Sequence, residues 1–125
     1  MKKIFVTFFA LITLSAAIAA SDEYLDPLTF TGTEEQKTQV INYIKKNVYN
    51  EYCKGIGQCS ASTLRMMEKA DLDSFKYLAS EAKKHEKEYR QVYKDYCQGI
   101  GQCGYTTLKT MFVHEVESAS KELTW

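Results

Sequence analysis

One cysteine-containing segment occurs twice in this chain of 125 residues, and the duplication limits what the chain can fold into. The first copy reads Val-Tyr-Asn-Glu-Tyr-Cys-Lys-Gly-Ile-Gly-Gln-Cys and ends at Cys59. The second reads Val-Tyr-Lys-Asp-Tyr-Cys-Gln-Gly-Ile-Gly-Gln-Cys and ends at Cys103. Two copies are too few for an open solenoid, which needs about three or more repeats to bury its faces. We therefore predict two related hairpins, about residues 45–70 and 89–114, packed together with pseudo-twofold symmetry.

Apolar residues around each cysteine segment recur at three- and four-residue steps, the period of an amphipathic helix. They include Val40, Ile41, Ile44, Val48 and Tyr52 before the first segment, and Leu108, Met111, Phe112, Val116, Ala119 and Leu123 after the second. Thr33-Glu-Glu-Gln36 fits a capping box and predicts where the first helix begins. No segment alternates with period two over a useful length. The sequence therefore predicts an all-α fold, a small bundle of two duplicated helix–loop–helix hairpins.

The stretch between the two cysteine segments is predicted to hold two helices of unequal length. Ser60 or Ser62 is the expected N-cap of a short second helix. A long third helix is expected to begin after Asp71 or Asp73 and to continue to Tyr96.

The glycines of each segment are expected to reverse the chain. Gly55 and Gly57, like Gly99 and Gly101, follow a predicted helix, where glycine adopts the left-handed conformation without steric cost. Ile56 is expected to fold back as the apolar contact that accompanies such a cap.

Residues 1–19 have the composition of a secretory signal peptide. Lys2 and Lys3 precede an apolar run, and small residues with a cleavage site near Ala19/Ala20 follow it. The alternative, an uncleaved anchor, needs about 20 apolar residues, which this run only just approaches. We therefore predict a cleaved chain that is periplasmic or secreted and has no stable membrane insertion.

The processed chain is predicted to contain an arm and one domain. Residues 20–32, which hold the only proline, are expected to form an extended N-terminal arm. Its apolar residues are candidates to lie in a groove of the bundle: Tyr24, Leu25, Leu28 and Phe30. Residues 33–125 are expected to form a single all-α domain.

Four cysteines in an exported chain favour two disulfides, for which three connectivities exist. Chain entropy favours bridges between the repeats, at about 4 kcal/mol against roughly 2.4 kcal/mol for a local bridge. Geometry favours local pairing, because the bridged Cα atoms must lie about 4.4–6.8 Å apart and the Gly-Ile-Gly reversal brings neighbouring cysteines that close. We predict Cys53–Cys59 and Cys97–Cys103. Zinc ligands usually have about two to four residues between them, whereas here five intervene, so we expect no metal site.

Catalytic and nucleic-acid-binding signatures are weak. His85 lies in a charged stretch, and His114 lacks the second histidine of a zinc-protease motif. The Gly-Ile-Gly segments follow helices and lack the remaining residues of a phosphate-binding loop. Signal cleavage changes the formal net charge from zero to −2, which gives no basic surface for nucleic acid. We therefore expect neither an enzyme nor a cofactor.

A protein partner is the expected ligand. Differences between the two copies make the second more aromatic and less charged, and tyrosine is enriched at interface hot spots. The candidate partner-binding residues are Gln98, Ile100, Gln102, Tyr105, Tyr49, Tyr93 and Trp125.

In general format the chain resembles periplasmic immunity proteins against secreted antibacterial toxins and periplasmic antiholins. The likeness is a signal peptide, a small helical domain and local disulfides; no shared motif carries it, so it implies no site residues. The predicted function is protein binding, as an inhibitor or immunity-type module. The alternative is a small-ligand carrier or envelope stress protein, with a pocket between the hairpins lined by Met66, Met67, Met111, Phe112 and the tyrosines. The sequence assigns no oligomeric state.

Overall fold

The computed structural model describes residues 21–125, which form four α-helices and no strand. The helices are α1 (Glu34–Val48), α2 (Ala61–Glu81), α3 (Glu86–Val92) and α4 (Tyr105–Ala119). Two π-helical turns, Tyr49–Gly55 and Tyr93–Ile100, extend α1 and α3, and 3-10 turns occupy Pro27–Thr29 and Ala82–Lys84. The all-α prediction is confirmed, while the expected signal segment lies outside the described residues.

Each π-helical turn leads into a cysteine loop that joins two helices, so α1–α2 and α3–α4 form two hairpins. α2 and α4 run parallel at the contact between the hairpins: Thr106 at the start of α4 binds Asp71, and Lys109 further along lies over the ring of Tyr77. Asp71 is ten residues into α2, roughly 15 Å from its first residue. The second hairpin is therefore displaced along the bundle relative to the first, and a simple twofold rotation does not relate them.

The predicted boundary between the second and third helices was wrong. α2 continues for 21 residues through Asp71, and the chain breaks at Ala82–Lys84 instead. Asp71 was expected to cap a new helix, but its carboxylate binds Thr106 of another helix. Because that partner is 35 residues away in the chain, the local pattern held no sign of it.

The helix starts are capped as the sequence predicts at two positions. The Thr33 hydroxyl accepts a hydrogen bond from the amide of Gln36, and the Ser60 hydroxyl accepts one from the amide of Thr63. The side chain of Gln36 does not return to Thr33 as in a capping box; its amide donates to the carbonyl of Thr29 and its oxygen accepts from Thr31. These bonds fix the end of the N-terminal arm onto α1.

All four helices contribute to one core. Its buried members are Val40, Ile44, Val48, Phe75, Leu78, Ala82, Tyr89, Val92, Tyr105, Leu108 and Phe112. Aromatic rings meet edge to face within it, including Phe75 with Tyr105 and Tyr89 with Phe112. The contact between the hairpins is thus filled by side chains.

The N-terminal arm, residues 21–32, packs against α1 and the second hairpin. The ring of Tyr24 lies 5.6 Å from that of Tyr43 and 5.5 Å from those of Tyr93 and Tyr105. The Tyr24 and Tyr89 hydroxyls share a hydrogen bond of 2.5 Å. Burial raises the pKa of the Tyr24, Tyr89 and Tyr105 phenols well above the usual value, so these groups stay neutral in the folded protein. The arm is therefore part of the folded core, with one 3-10 turn in its middle.

Candidate functional site: the two cysteine loops

Both disulfides form within a repeat, as predicted. Cys53 pairs with Cys59 and Cys97 with Cys103, at Cα separations of 4.4 Å and 4.5 Å. No cysteine in residues 21–125 is free. We refer to residues 53–59 as the first cysteine loop and to residues 97–103 as the second cysteine loop.

A π-helical turn leads into each loop, includes the loop's first residues and carries the Tyr-x-x-Tyr-Cys sequence. The wider turn brings a backbone carbonyl close to the residue two positions after the first cysteine of each loop. A Cβ atom at Gly55 would lie 3.2 Å from the carbonyl oxygen of Asn50, and one at Gly99 would lie 3.4 Å from that of Lys94. Gly55 therefore allows a close approach of the backbone, while Gly99 lies at the limit of ordinary contact; neither adopts the left-handed conformation that the sequence predicted.

The second glycine of each loop provides the left-handed reversal. Gly57 has φ of 74° and Gly101 has φ of 79°, as expected for a C-cap. The following amides close the turn in the same way, with Gln58 N–H donating to the carbonyl of Tyr52 and Gln102 N–H to that of Tyr96, each at 2.7 Å. The two loops therefore share this closing hydrogen bond and the same spacing of the disulfide.

Each loop exposes the isoleucine at its tip. Ile56 is 62% exposed and Ile100 is 65% exposed. The expectation that Ile56 folds back onto its helix was wrong, because the disulfide and the glycine reversal turn the tip away from the bundle. Exposed glutamines, Gln58, Gln98 and Gln102, accompany the two isoleucines.

The second loop is held by the first hairpin. The hydroxyl of Tyr43 donates to the carbonyl of Cys103 at 2.8 Å. Gly104, the N-cap of α4, has no side chain, and Asp71 acts in its place by accepting from the amide and hydroxyl of Thr106 at 3.2 Å and 2.6 Å. A Cβ at Gly104 would lie 3.4 Å from the side-chain nitrogen of Asn47, so glycine allows this close contact. The position that holds Ser60 in the first repeat is therefore occupied in the second by a glycine packed against the first hairpin.

Two carboxyl groups lie near this contact, the buried Asp71 and the exposed Glu51. Burial raises the pKa of Asp71, although the hydrogen bonds from Thr106 oppose the shift. Burial and the neighbouring charge of Asp71 raise the pKa of Glu51. Asp71 therefore serves as a structural cap that is costly to ionise, and it lies too deep to meet a partner.

The predicted partner-binding residues separate into two groups. Gln98, Ile100 and Gln102 lie exposed on the second loop, and Tyr49 is 46% exposed before the first loop. The remaining three do not share that surface: Tyr93 packs on Tyr24, Tyr105 is buried in the core, and Trp125 follows the far end of α4.

Tyr105 is a correction to the predicted site. Its side chain is 0% exposed, and its hydroxyl donates to the carbonyl of Leu25 in the arm at 2.8 Å. It has no surface for a partner, since the arm covers it. The larger aromatic content of the second repeat therefore serves packing at this position.

The first cysteine loop is as accessible as the second. Its tip residue Ile56 is as exposed as Ile100, and residues 54–60 are all exposed. The identical Gly-Ile-Gly sequence in both copies was the signal that pointed to both tips equally.

Other kinds of site were sought in residues 21–125. That part of the chain places no three His, Cys, Asp or Glu side chains where they could hold a metal ion. None of its helices is both long and apolar enough to cross a membrane.

Comparisons with known proteins yield no relative from which a role for the loops could be inferred. No family model, curated protein sequence or solved structure matches this chain.

Proposed function

We propose that this protein acts by binding another protein, with the two cysteine loops as the binding surface, in an oxidising compartment outside the cytoplasm. The observation that carries the proposal is the pair of isoleucines, each about two-thirds exposed at the tip of a disulfide-closed loop. Exposing Ile56 and Ile100 to water does not stabilise the fold, so we attribute their exposure to binding.

Rigidity supports binding through these loops. Each tip is fixed by a disulfide and by a backbone bond from Gln58 or Gln102, so little conformational entropy is lost when a partner binds. An apolar centre with a polar rim is the usual form of a protein interface. The glutamine side chains beside each isoleucine supply that polar rim.

Inhibition or sequestration of the partner is the mode of action that we favour. The loops carry no nucleophile beside a base, and the glycines there are used for chain reversal, so we propose binding without catalysis. The two disulfides are compatible with an exported location, since such bonds persist in oxidising compartments. A periplasmic or secreted location, reached through a signal at residues 1–19, belongs to the same proposal.

The carrier alternative has less support. It places a pocket between the hairpins, but Phe112 is 1% exposed and Leu108 is 0% exposed there, both inside the packed core. Met66, another expected lining residue, is 58% exposed on the outer surface.

Site-specific photo-crosslinking in cells of the native host tests the proposed surface. A photoreactive phenylalanine analogue is placed at position 56 or 100, and at position 87 as the control, because Lys87 is exposed on α3 near the opposite end of the bundle. We expect one discrete protein adduct from positions 56 and 100 and none from position 87.

The companion variant is Ile56→Asp combined with the photoreactive residue at position 100. A charge at the first tip should reduce the adduct formed from the second tip if one partner contacts both loops. Adducts that are equal at all three positions, or absent at both loop positions, would contradict the proposed surface.

A further inference from the structure

A groove on the flank of the first hairpin is separate from the cysteine loops. It runs between α1 and α2 and consists of two depressions of about 440 Å³ and 200 Å³. Ile41 and Leu72 line both depressions, which makes them one continuous groove. We call it the α1–α2 groove.

The groove has an apolar floor and one closed end. Its floor consists of Val40, Ile41, Ile44, Leu72 and Phe75. Phe30 of the N-terminal arm lines the larger depression at its end, with its ring 5.0 Å from that of Phe75 and edge-on to it. The ammonium of Lys83 donates to the carbonyl of Phe30 at 3.2 Å, which holds this part of the arm in place.

Positive charge is concentrated around that floor. Five of the lining side chains are cationic and only one, Glu68, is anionic, although the whole chain carries 16 basic and 16 acidic residues. The cations are Lys37, Lys45, Arg65, Lys69 and Lys76.

Ion pairs leave part of this charge uncompensated. Arg65 pairs with Glu68, while Lys37 and Lys69 pair at 2.9 Å and 3.6 Å with acids outside the groove. Lys45 and Lys76 form no ion pair with any residue in the 21–125 range. One unpaired ammonium therefore stands at each depression, on opposite helices.

We propose that the α1–α2 groove binds a single-chain anionic amphiphile, an acyl chain with a carboxylate head group. The acyl chain lies on the floor formed by Ile41 and Leu72, and the carboxylate meets the ammonium of Lys45 or Lys76. This ligand-binding role goes beyond the proposed protein-binding function, since the groove and the cysteine loops share no residue.

Size and charge select this occupant over others. The larger depression, at about 440 Å³, lies by itself in the range of small-molecule pockets, about 300–1,000 Å³, and the smaller one extends it; a protein partner needs about 800 Å² of surface on each side. The basic apolar segment expected at residues 1–19 is a poor occupant, because its lysines would meet those of the groove.

Isothermal titration calorimetry with sodium dodecanoate, kept below its micellar concentration, tests the proposal on the purified oxidised protein. We expect saturable binding of one dodecanoate per chain, and much weaker binding of dodecyltrimethylammonium, which has the same chain and the opposite charge. Nuclear magnetic resonance should place the shifted methyl signals at Ile41 and Leu72.

The variant pair is Lys45→Glu with Lys76→Glu, and the control is Lys87→Glu on α3, which makes the charge change of one of these two substitutions away from the groove. The double variant should weaken dodecanoate binding roughly tenfold or more, and the control less than twofold. Unchanged thermal unfolding of the double variant shows that it is folded.

Three results would overturn the proposal: no binding of dodecanoate at millimolar concentration, equal binding of the cationic amphiphile, or equal weakening by Lys87→Glu. Ile100→Asp serves to separate the two sites, since it should leave dodecanoate binding unchanged while reducing the crosslink formed from position 56.

Discussion

Asp71 joins the two hairpins through one carboxylate. It lies on α2, is 7% exposed, and accepts hydrogen bonds from both the backbone amide and the hydroxyl of Thr106 at the start of α4. The N-cap of α4 is Gly104, which has no side chain to accept a hydrogen bond from the Thr106 amide. A cap supplied from another helix therefore replaces the local one, and it fixes the position of α4 relative to α2.

Removal of this cap should destabilise the protein. Asp71→Ala leaves the Thr106 amide without its acceptor, and we expect a loss of about 1–3 kcal/mol in the free energy of unfolding. Urea unfolding followed by circular dichroism measures it. Asp73→Ala is the control: Asp73 is exposed and pairs, within residues 21–125, only with Lys69, so its loss should cost less than about 1 kcal/mol. Equal losses in the two variants would contradict the capping role.

The raised pKa of Asp71 predicts a pH dependence of stability. Above the unfolded pKa of about 3.9, the folded protein holds this proton more tightly than the unfolded chain does. Its contribution to stability therefore falls as pH rises from that value through the raised folded pKa. Asp71→Asn keeps an acceptor and cannot ionise.

Urea unfolding at a series of pH values from 3 to 7 measures this effect as a difference between the two proteins. The stability of Asp71→Asn relative to the natural protein should increase as pH rises and then become constant. A relative stability that is flat, or that falls with pH, would show that the pKa of Asp71 is not raised.

At the scale of elements, the N-terminal arm behaves as part of the helical bundle. The ring of Tyr24 contacts residues of α1, the second π-helical turn and α4, and its hydroxyl binds that of Tyr89 on α3. The amide and carbonyl of Leu25 both bind the hydroxyl of Tyr105. Because the arm supplies the hydrogen-bond partners of these phenols, its loss would leave polar groups and rings uncovered in the core.

Truncation of the arm's central ring should therefore be costly. Tyr24→Ala removes a largely buried aromatic ring and a hydrogen bond, and we expect a loss of about 3–5 kcal/mol. Thermal unfolding by calorimetry measures it. Tyr49→Ala, which truncates an exposed tyrosine, is the matched control and should cost less than about 1 kcal/mol. An arm that packs only loosely would give the two variants similar melting temperatures.

The two proposed surfaces occupy different parts of the whole molecule. The cysteine loops lie beyond the ends of α1 and α3, whereas the groove lies along the flank between α1 and α2. The disulfides hold the first surface, and the arm closes one end of the second. Changes at one surface should therefore leave the other intact.

Reduction should lower the stability of the whole molecule. Each disulfide closes a short loop of seven residues, worth roughly 2.4 kcal/mol in the chain-entropy model, so two give about 5 kcal/mol. The total free energy of unfolding of a domain of this size is about 5–15 kcal/mol, so a reductant should lower the melting temperature strongly. Calorimetry with and without dithiothreitol measures the shift. Replacing all four cysteines with alanine should reproduce the shift. A shift near zero would mean that the bridges do not contribute to stability.

The sequence by itself determined the two hairpins, the local disulfides and the cap at Thr33. Each follows from residues close together in the chain: a repeated segment, a Cys-x5-Cys spacing around a glycine reversal, and a hydroxyl three residues before the amide it binds. Only the tertiary structure decided that α2 continues through Asp71 and that the arm buries Tyr105. These depend on contacts 35 and 80 residues apart, where a distant partner outweighs the local preference of the chain.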